Sequence, residues 1–456
     1  MVIIDRDLCA CCGSCVSVCP AGALTLRETW LSVDEGCVDC DACLRACPMG
    51  ALRPGPAGRA LQPGSPPDAR PASDARSSRL RRRYDLVVVG AGPAGATAAR
   101  VAAEAGLSVL LLEKRQEIGS PVRCAEGVGH EPLQRFIDPD PGWIAAVVTQ
   151  AEITAVAGQA SRTLRATGGR GYILERRIFD RVLAERAAQA GAEVRVKTAV
   201  SGLLLEQGRV RGVRVERGDL LGAGQAELEA EIVIAADGVE GLVGRWAGLD
   251  LALPLRDSMV CVQYLLAGVD VDPTCTCYTI DQAVAPGGYA WVFPKGQGKA
   301  NVGLGVQADL WQEEAATPAV GRGTVLGYLT RFIEARPHLA RGYPVTLVAG
   351  GVPVAPAPGR LVTGGLMVVG DAARQVDPLT GGGIANAMAA GQLAAQVAVE
   401  AVEARDPSAA FLARYEERWQ RSLGRKMLRN YRLRQRFAPA ERTDEHFLRA
   451  FALAVG

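Results

Sequence analysis

The sequence predicts an α/β protein: a Rossmann-type dinucleotide-binding domain with an inserted antiparallel-sheet domain, preceded by a small α+β module. Three observations carry that expectation. A cysteine spacing is duplicated within the first 48 residues, and a strand, glycine turn, helix, strand and acid follow in order from Tyr84 to Glu113. From Leu251 to Val352 apolar and polar residues alternate between Gly and Pro turns, as in an antiparallel sheet. The expected boundaries are 1–52 for the module, 53–83 for a flexible linker and 84–250 with 353–404 for a discontinuous dinucleotide-binding domain. Residues 251–352 form the inserted sheet and 405–456 a C-terminal helical segment.

In the first module, Cys9-x-x-Cys12-x-x-Cys15-x-x-x-Cys19-Pro20 recurs as Cys37-x-x-Cys40-x-x-Cys43-x-x-x-Cys47-Pro48, each cysteine 28 positions after its counterpart (37−9, 47−19). This is an internal duplication of one supersecondary unit. The short spacings let three thiolates wrap one face of a cubane, and in such modules the fourth cysteine ligates the other cluster. The expected ligand sets for two [4Fe–4S] clusters are therefore Cys9, Cys12, Cys15 with Cys47, and Cys37, Cys40, Cys43 with Cys19, in a ferredoxin-like module. Structural zinc is the competing reading, although zinc sites rarely need eight cysteines in a doubled pattern. Counting from Cys11 puts Ser14 where a ligand must be, so Cys11 reads as a neighbour. The linker is rich in Pro, Gly, Ala and Ser, and its closing run Arg79-Leu80-Arg81-Arg82-Arg83 reads as a solvated end or a docking patch.

In the next region, Tyr84 to Val89 is an apolar strand running into Gly90-Ala91-Gly92-Pro93-Ala94-Gly95. A small-residue helix, Ala96 to Ala105, follows, and a second strand, Ser108 to Leu112, ends at Glu113. Gly90, Gly92 and Gly95 let backbone N–H groups and a helix N-terminus approach a pyrophosphate, and Glu113 can accept from ribose hydroxyls. Two later strands favour FAD as the dinucleotide: Glu231 to Gly238, ending in Ala-Asp-Gly, and Leu366 to Ala373, which presents Asp371. Gly381-Gly382-Gly383-Ile384 then opens a helix whose positive end suits the anion of a reduced flavin. No second strand-linked glycine fingerprint occurs, so a separate NAD(P)H domain is not expected.

Four further segments carry a family resemblance. They are Cys124-Ala125-Glu126-Gly127, Gly171 to Asp180, Tyr289-Ala290-Trp291-Val292-Phe293-Pro294-Lys295, and Gly370-Asp371-Ala372-Ala373-Arg374 through Ile384. Together they resemble the geranylgeranyl reductase family, especially the archaeal digeranylgeranylglycerophospholipid reductases, over residues 84 to 435. The resemblance implies a fold like that of p-hydroxybenzoate hydroxylase, FAD as cofactor, and saturation of prenyl C=C bonds. By motif position it implies FAD contacts at Ala94, Glu113, Cys124, Ala125, Gly127, Arg176, Val200, Asp371, Gly383 and Ile384. Residue 125 is Ala where many relatives carry Gly, and the shorter relatives lack the cysteine module. On a strand Tyr289, Trp291 and Phe293 share one face, an aromatic wall for an apolar chain or a plain sheet core. Cys124 is the candidate catalytic residue, with simple packing against the ring as its alternative; near a helix N-terminus its thiol pKa is expected to be depressed. Cys275 and Cys277 read as buried thiols.

The function expected is FAD-dependent reduction of prenyl chains of a lipid or isoprenoid, with electrons relayed through the clusters from a ferredoxin or other low-potential donor. Two alternatives compete: an electron-transfer protein that passes electrons to quinone, and a flavin monooxygenase. Composition excludes less than the motifs do. At 456 residues the chain has room for about three domains of roughly 150 residues each. Its 48% hydrophobic and 22% charged residues are those of a globular protein, its net charge of +2 gives no reason to expect nucleic acid, and its three histidines are scattered. The N-terminus lacks a basic n-region and an apolar h-region, so a cytoplasmic location is expected. The uncharged run Pro378 to Val399 is long enough to span a bilayer, but its Gly, Ala, Asn386 and Gln392 mark a buried helix. Phe411 to Phe437 reads as a basic amphipathic helix, either packed on the body or in peripheral contact with a membrane.

Overall fold

A computed structural model describes residues 2–6, 8–27, 30–55, 83–219, 222–310, 324–437, 448–449 and 451–452. Most of the linker, the basic run before Arg83 and much of the tail after Phe437 lie outside the described residues.

The N-terminal duplication is structural as well as sequential. Helices Ser14–Val18 and Ala42–Arg45 begin 28 positions apart (42−14), and each follows a left-handed residue, Gly13 and Asp41. Strand Val2–Ile4 pairs antiparallel with Leu52–Pro54, and Leu24–Arg27 pairs with Trp30–Val33. Between these ribbons Cys15, Cys19, Cys43 and Cys47 are buried with Val2, Val16, Leu24 and Leu52.

Behind the module stand two eight-stranded sheets. The first runs Glu193–Arg195, Val109–Leu112, Arg83–Val89, Gly222–Ala235, Arg209–Asp219 and Thr198–Glu206, with Leu366–Val368 joining the far end of Gly222–Ala235. Its centre is parallel: Val87 lies opposite Leu110 on one side and Val233 on the other. Leu86 to Val88 are fully buried there, as suits a strand covered on both faces by helices. Helix Pro93–Glu104 covers this centre and packs on Ile384–Glu403. Ala is frequent along both helices, and their backbones approach so closely that a side chain at Gly391 would collide with the Ala94 carbonyl. The first helix starts at Pro93, earlier than the Ala96 expected, because Pro suits the first helical turn.

The second sheet runs Tyr343–Pro353, Ser258–Ala267, Lys299–Gln307, Tyr289–Gly296, Cys275–Asp281, Ile144–Ala157, Ala160–Leu174 and Gly127–Gly129. It is wider than the expected 251–352: three strands from 127–174 extend it, through a parallel pairing of Cys277 with Glu152. Those strands are rich in Ala, Thr and Gly, which blurs the alternation that marks a sheet.

Pro378 to Val399 supplies most of the buried helix Ile384–Glu403, as expected. Among the described residues no helix is long and apolar enough to cross a membrane. The expected helix 411–437 is two helices, Ala409–Trp419 and Arg425–Phe437, joined by a π turn at Gln420–Gly424. Its apolar side faces inward. Leu412, Tyr415 and Trp419 are buried, and the Tyr415 hydroxyl donates to Val368 O (3.1 Å) while accepting from Gln375 Nε2 (2.6 Å).

Candidate functional site

The dinucleotide turn is set by two glycines. Gly90 has φ +100°, and a side chain at Gly95 would collide with the Gly90 carbonyl oxygen, so strand and helix meet only because both positions lack Cβ. A Cβ on Gly92, by contrast, would meet nothing, because that position opens onto a cavity of about 1440 Å³. That volume exceeds the roughly 300–1,000 Å³ of an ordinary ligand pocket, which leaves room for a dinucleotide and a second molecule.

Of the residues expected to touch FAD, Gly90, Gly92, Ala94, Glu113, Cys124, Ala125, Gly127, Arg176, Val200, Asp371, Gly383 and Ile384 all line this one cavity. Gly95 does not; it serves the packing of helix on strand. Glu113 closes the turn at its base, accepting from Ala91 N at 3.1 Å and from Arg115 N at 3.0 Å. Asp371 is desolvated, and burial raises its carboxyl pKa against the pull of Arg176. Asp237 lines the same wall, and its buried Oδ1 has no hydrogen-bond partner. An open glycine cradle, an orphaned acceptor and a helix N-terminus at Gly383 together fit a bound dinucleotide.

A charged scaffold holds the Cys124–Gly127 loop. Glu126 adopts φ +72° and is buried, its Oε2 accepting from Lys295 Nζ and Asn301 Nδ2 at 2.8 Å each. Its Oε1 accepts from Arg176 N at 2.9 Å. Arg176 in turn forks onto Asp180 with two 2.7 Å bonds; burial opposes its charge, but Asp180 outweighs that and keeps it protonated. Cys124 is half-buried on the cavity wall beside Arg176. Its thiol pKa is raised by burial, contrary to the depressed value expected, because loss of solvation outweighs the nearby guanidinium.

Tyr289, Trp291 and Phe293 line the other side of the cavity. Trp291 Nε1 donates to Gln263 Oε1 (2.8 Å), and Gln263 Nε2 donates to the Cys124 carbonyl (3.3 Å), so the aromatic strand is tied to the loop. The Tyr289 hydroxyl donates to the Thr380 carbonyl, just before the glycines of the helix start. Tyr278 and Phe451 complete the aromatic wall, with ring centroids 5.8 and 5.4 Å from Tyr289. Neither was expected: Tyr278 carries no motif, and Phe451 is far along the chain. Gln263, Lys295 and Glu126 were missed too, although the last two stand inside quoted motifs, where a buried charge in an apolar run is the available signal.

Residues 257–352 match the geranylgeranyl reductase catalytic domain, and residues 85–290 match an FAD dependent oxidoreductase domain. The digeranylgeranylglycerophospholipid reductase of Methanosphaerula palustris is 46% identical over 362 residues, 78% of this chain and 87% of that protein. The chain belongs to the geranylgeranyl reductase family. It is an FAD-dependent oxidoreductase of that family. The digeranylgeranylglycerophospholipid reductase of Methanosarcina acetivorans is 49% identical over 75% of this chain and 81% of its own length. The crystal structure of a geranylgeranyl bacteriochlorophyll reductase-like protein from Thermoplasma acidophilum is 43% identical, with a TM-score of 0.73 over 79% of this chain and 88% of that one. A flavin-dependent brominase at 19% identity and TM-score 0.61 over 82% of this chain and 93% of that one shares the fold. Neither family match extends before residue 85.

The eight module cysteines are all unbridged thiols. Among the described residues no three metal-ligating side chains converge closely enough to hold a single ion. A cubane is larger than an ion, and its thiolates stand farther apart. The charge neighbours fall into two groups: Cys47 faces Cys12 and Cys9, while Cys43 faces Cys19, Cys40 and Cys37. Cys15 stands beside Cys12 and Cys47, then Cys43 and Cys9, and so borders both groups. Burial and mutual proximity push the thiols of Cys43 and Cys47 up, to about 12 and about 11, so negative charge is costly there without a cationic centre among them.

Proposed function

We propose that this chain saturates C=C bonds in prenyl chains of the geranylgeranyl type, carried by a lipid or another isoprenoid. The observation that carries the reading is a single cavity walled on one side by the dinucleotide turn and on the other by Tyr289, Trp291 and Phe293. A prenyl double bond has no carbonyl to polarise, so the protein must supply position and dryness. Bound FAD supplies hydride chemistry when reduced. The aromatic wall holds an apolar chain, the Glu126–Lys295 scaffold fixes the Cys124 loop against it, and the neutral Cys124 thiol is the candidate to shape the reaction or hold its proton.

Cys9, Cys12, Cys15 and Cys47 would hold one [4Fe–4S] cluster and Cys19, Cys37, Cys40 and Cys43 the other, supplying one-electron delivery from a low-potential partner such as a ferredoxin. The duplicated helices and the two groups of thiols support this reading. Replacing Cys43 with Ala should remove about half of the iron, preserve FAD, and cut turnover from a reduced ferredoxin but not from dithionite. Full donor-driven turnover in that variant would overturn the relay. Peripheral contact with an anionic bilayer would use the outward basic face of helices 409–437, since their apolar side is buried; flotation with anionic vesicles at low salt tests it.

The deciding experiment is mass spectrometry of a prenyl lipid after turnover. A gain of two hydrogens per bond is expected. An unchanged lipid with quinone reduced, or a gain of one oxygen, would replace this reading by electron transfer to quinone or by monooxygenation.

A further inference from the structure

The cysteine module meets the body through a defined interface. Leu253 N donates to Ser17 O (3.1 Å), and Arg245 Nη2 donates to the carbonyls of Cys19 (2.6 Å) and Pro20 (3.1 Å). Arg123, the residue before Cys124, donates to the Cys11 carbonyl and to Glu240 Oε2, the latter at 2.9 Å. Glu240 lies under Gly13, its side chain 5% exposed, and its other oxygen receives Lys114 Nζ at 2.8 Å and Arg115 Nη2 at 2.7 Å. One carboxylate thus gathers three cations, all on the cavity wall, at the seam.

The two groups of thiols are unequal with respect to this seam. Cys12 lines the flavin cavity with Arg123 and Cys261, and it belongs to the same buried apolar cluster as Val260, Val262 and Ala349 of the second sheet. Cys261 has both Cys124 and Cys12 as charge neighbours. On the other side Cys40 is exposed, Cys37 is half-buried, and Val38 between them is 63% exposed.

We propose that the set Cys9, Cys12, Cys15 and Cys47 is the flavin-facing one, that Cys19, Cys37, Cys40 and Cys43 form the outward set that an external one-electron donor meets first, and that Glu240 is the positioning residue that fixes this orientation through Arg123. The proposal rests on the two-cluster reading above.

The test uses the full-length chain, reconstituted anaerobically with FAD, iron and sulfide, and reads iron content beside the electron spin relaxation of the one-electron-reduced flavin. A paramagnetic cluster speeds that relaxation steeply with proximity. Cys9→Ala and Cys40→Ala should each lose about half of the iron. Fast relaxation should survive in Cys40→Ala and slow several-fold in Cys9→Ala; the reverse, or equal slowing, overturns the orientation while leaving the clusters standing. Absence of iron from the unaltered chain overturns the cluster reading and the proposal together. Glu240→Gln should keep iron and FAD yet slow the relaxation, and Arg123→Ala, which removes the cation through which Glu240 acts, gives a second measurement if Glu240→Gln does not fold. Unchanged relaxation in the variant measured removes Glu240 as the positioning residue.

Discussion

Lys295 Nζ lies 2.8 Å from Glu126 Oε2, and both side chains are 5% exposed. The ammonium also reaches Glu175 Oε1 at 2.9 Å and the Leu174 carbonyl at 2.6 Å, so it pins the loop carrying Cys124 to the central strand Tyr289–Gly296 and to Ala160–Leu174 near one edge of the second sheet. Lys295→Met leaves Glu126 buried with Asn301 as its one remaining side-chain partner, and should cost about 3–5 kcal/mol. Thermal unfolding followed by flavin fluorescence should show a lowered midpoint and a lower FAD content; an unchanged midpoint refutes the scaffold.

Gly95 does not line the flavin cavity, yet its substitution should reach the cofactor. A methyl group there collides with the Gly90 carbonyl and must push the helix off the strand. Gly95→Ala should cost about 1–3 kcal/mol and weaken FAD binding. Equilibrium dialysis of FAD against the variant checks it.

Glu240 gives the seam a pH dependence. Burial alone would raise its carboxyl pKa, but Lys114, Arg123 and Arg115 pull it from the usual 4.5 down to about 2. A depressed carboxyl stabilises fully above its unfolded value and is lost as pH falls through the folded one. Amide exchange at residues 11–20 should therefore hold steady at neutral pH and accelerate between 4.5 and about 2. Glu240→Gln should exchange fast throughout.

Cys124 gives turnover a different limb. Its thiol is raised above the ordinary 9.0 by burial, so it is neutral across the physiological range. If that proton serves the reaction, kcat with dithionite stays flat through neutral pH and falls only above 9.0. Cys124→Ala should lower kcat and erase that alkaline limb; a limb that persists in the variant belongs to another group.

Trp291→Phe keeps an aromatic face but strips Gln263 of its donor. Gln263 is 3% exposed, and the lost bond should cost about 1–2 kcal/mol of stability. If the wall binds the prenyl chain equally before and during reaction, KM rises while kcat holds. A fall in kcat alone would place Trp291 in the chemistry and not in binding.

Much of this site was legible because its parts are local. The Gly90–Gly95 turn, the Glu113 acid and the doubled cysteine spacing each need only a short stretch of chain, and twelve motif-derived positions fall on one cavity. What escaped depends on distance along the chain. Nothing near Phe451 announces that it will stack beside Tyr289, and nothing near Glu240 announces three cations arriving from 114–123. The strands of 127–174 escaped for another reason: Ala and Thr tolerate either face, so burial writes no clear period into them. Cys124 shows the third kind of miss, since proximity to positive groups was legible but its desolvation was not.

The inclusion of Cys12 in the buried apolar cluster of the second sheet has a kinetic corollary. A redox domain that rides on a tether must find its acceptor by diffusive search, and its delivery rate then depends on tether length and viscosity. If the module carries clusters, one already seated against the body has no such search to make. Under that reading, transfer from the module to the flavin should be insensitive to added viscogen, and lengthening the segment between Arg53 and Arg83 should leave it unchanged.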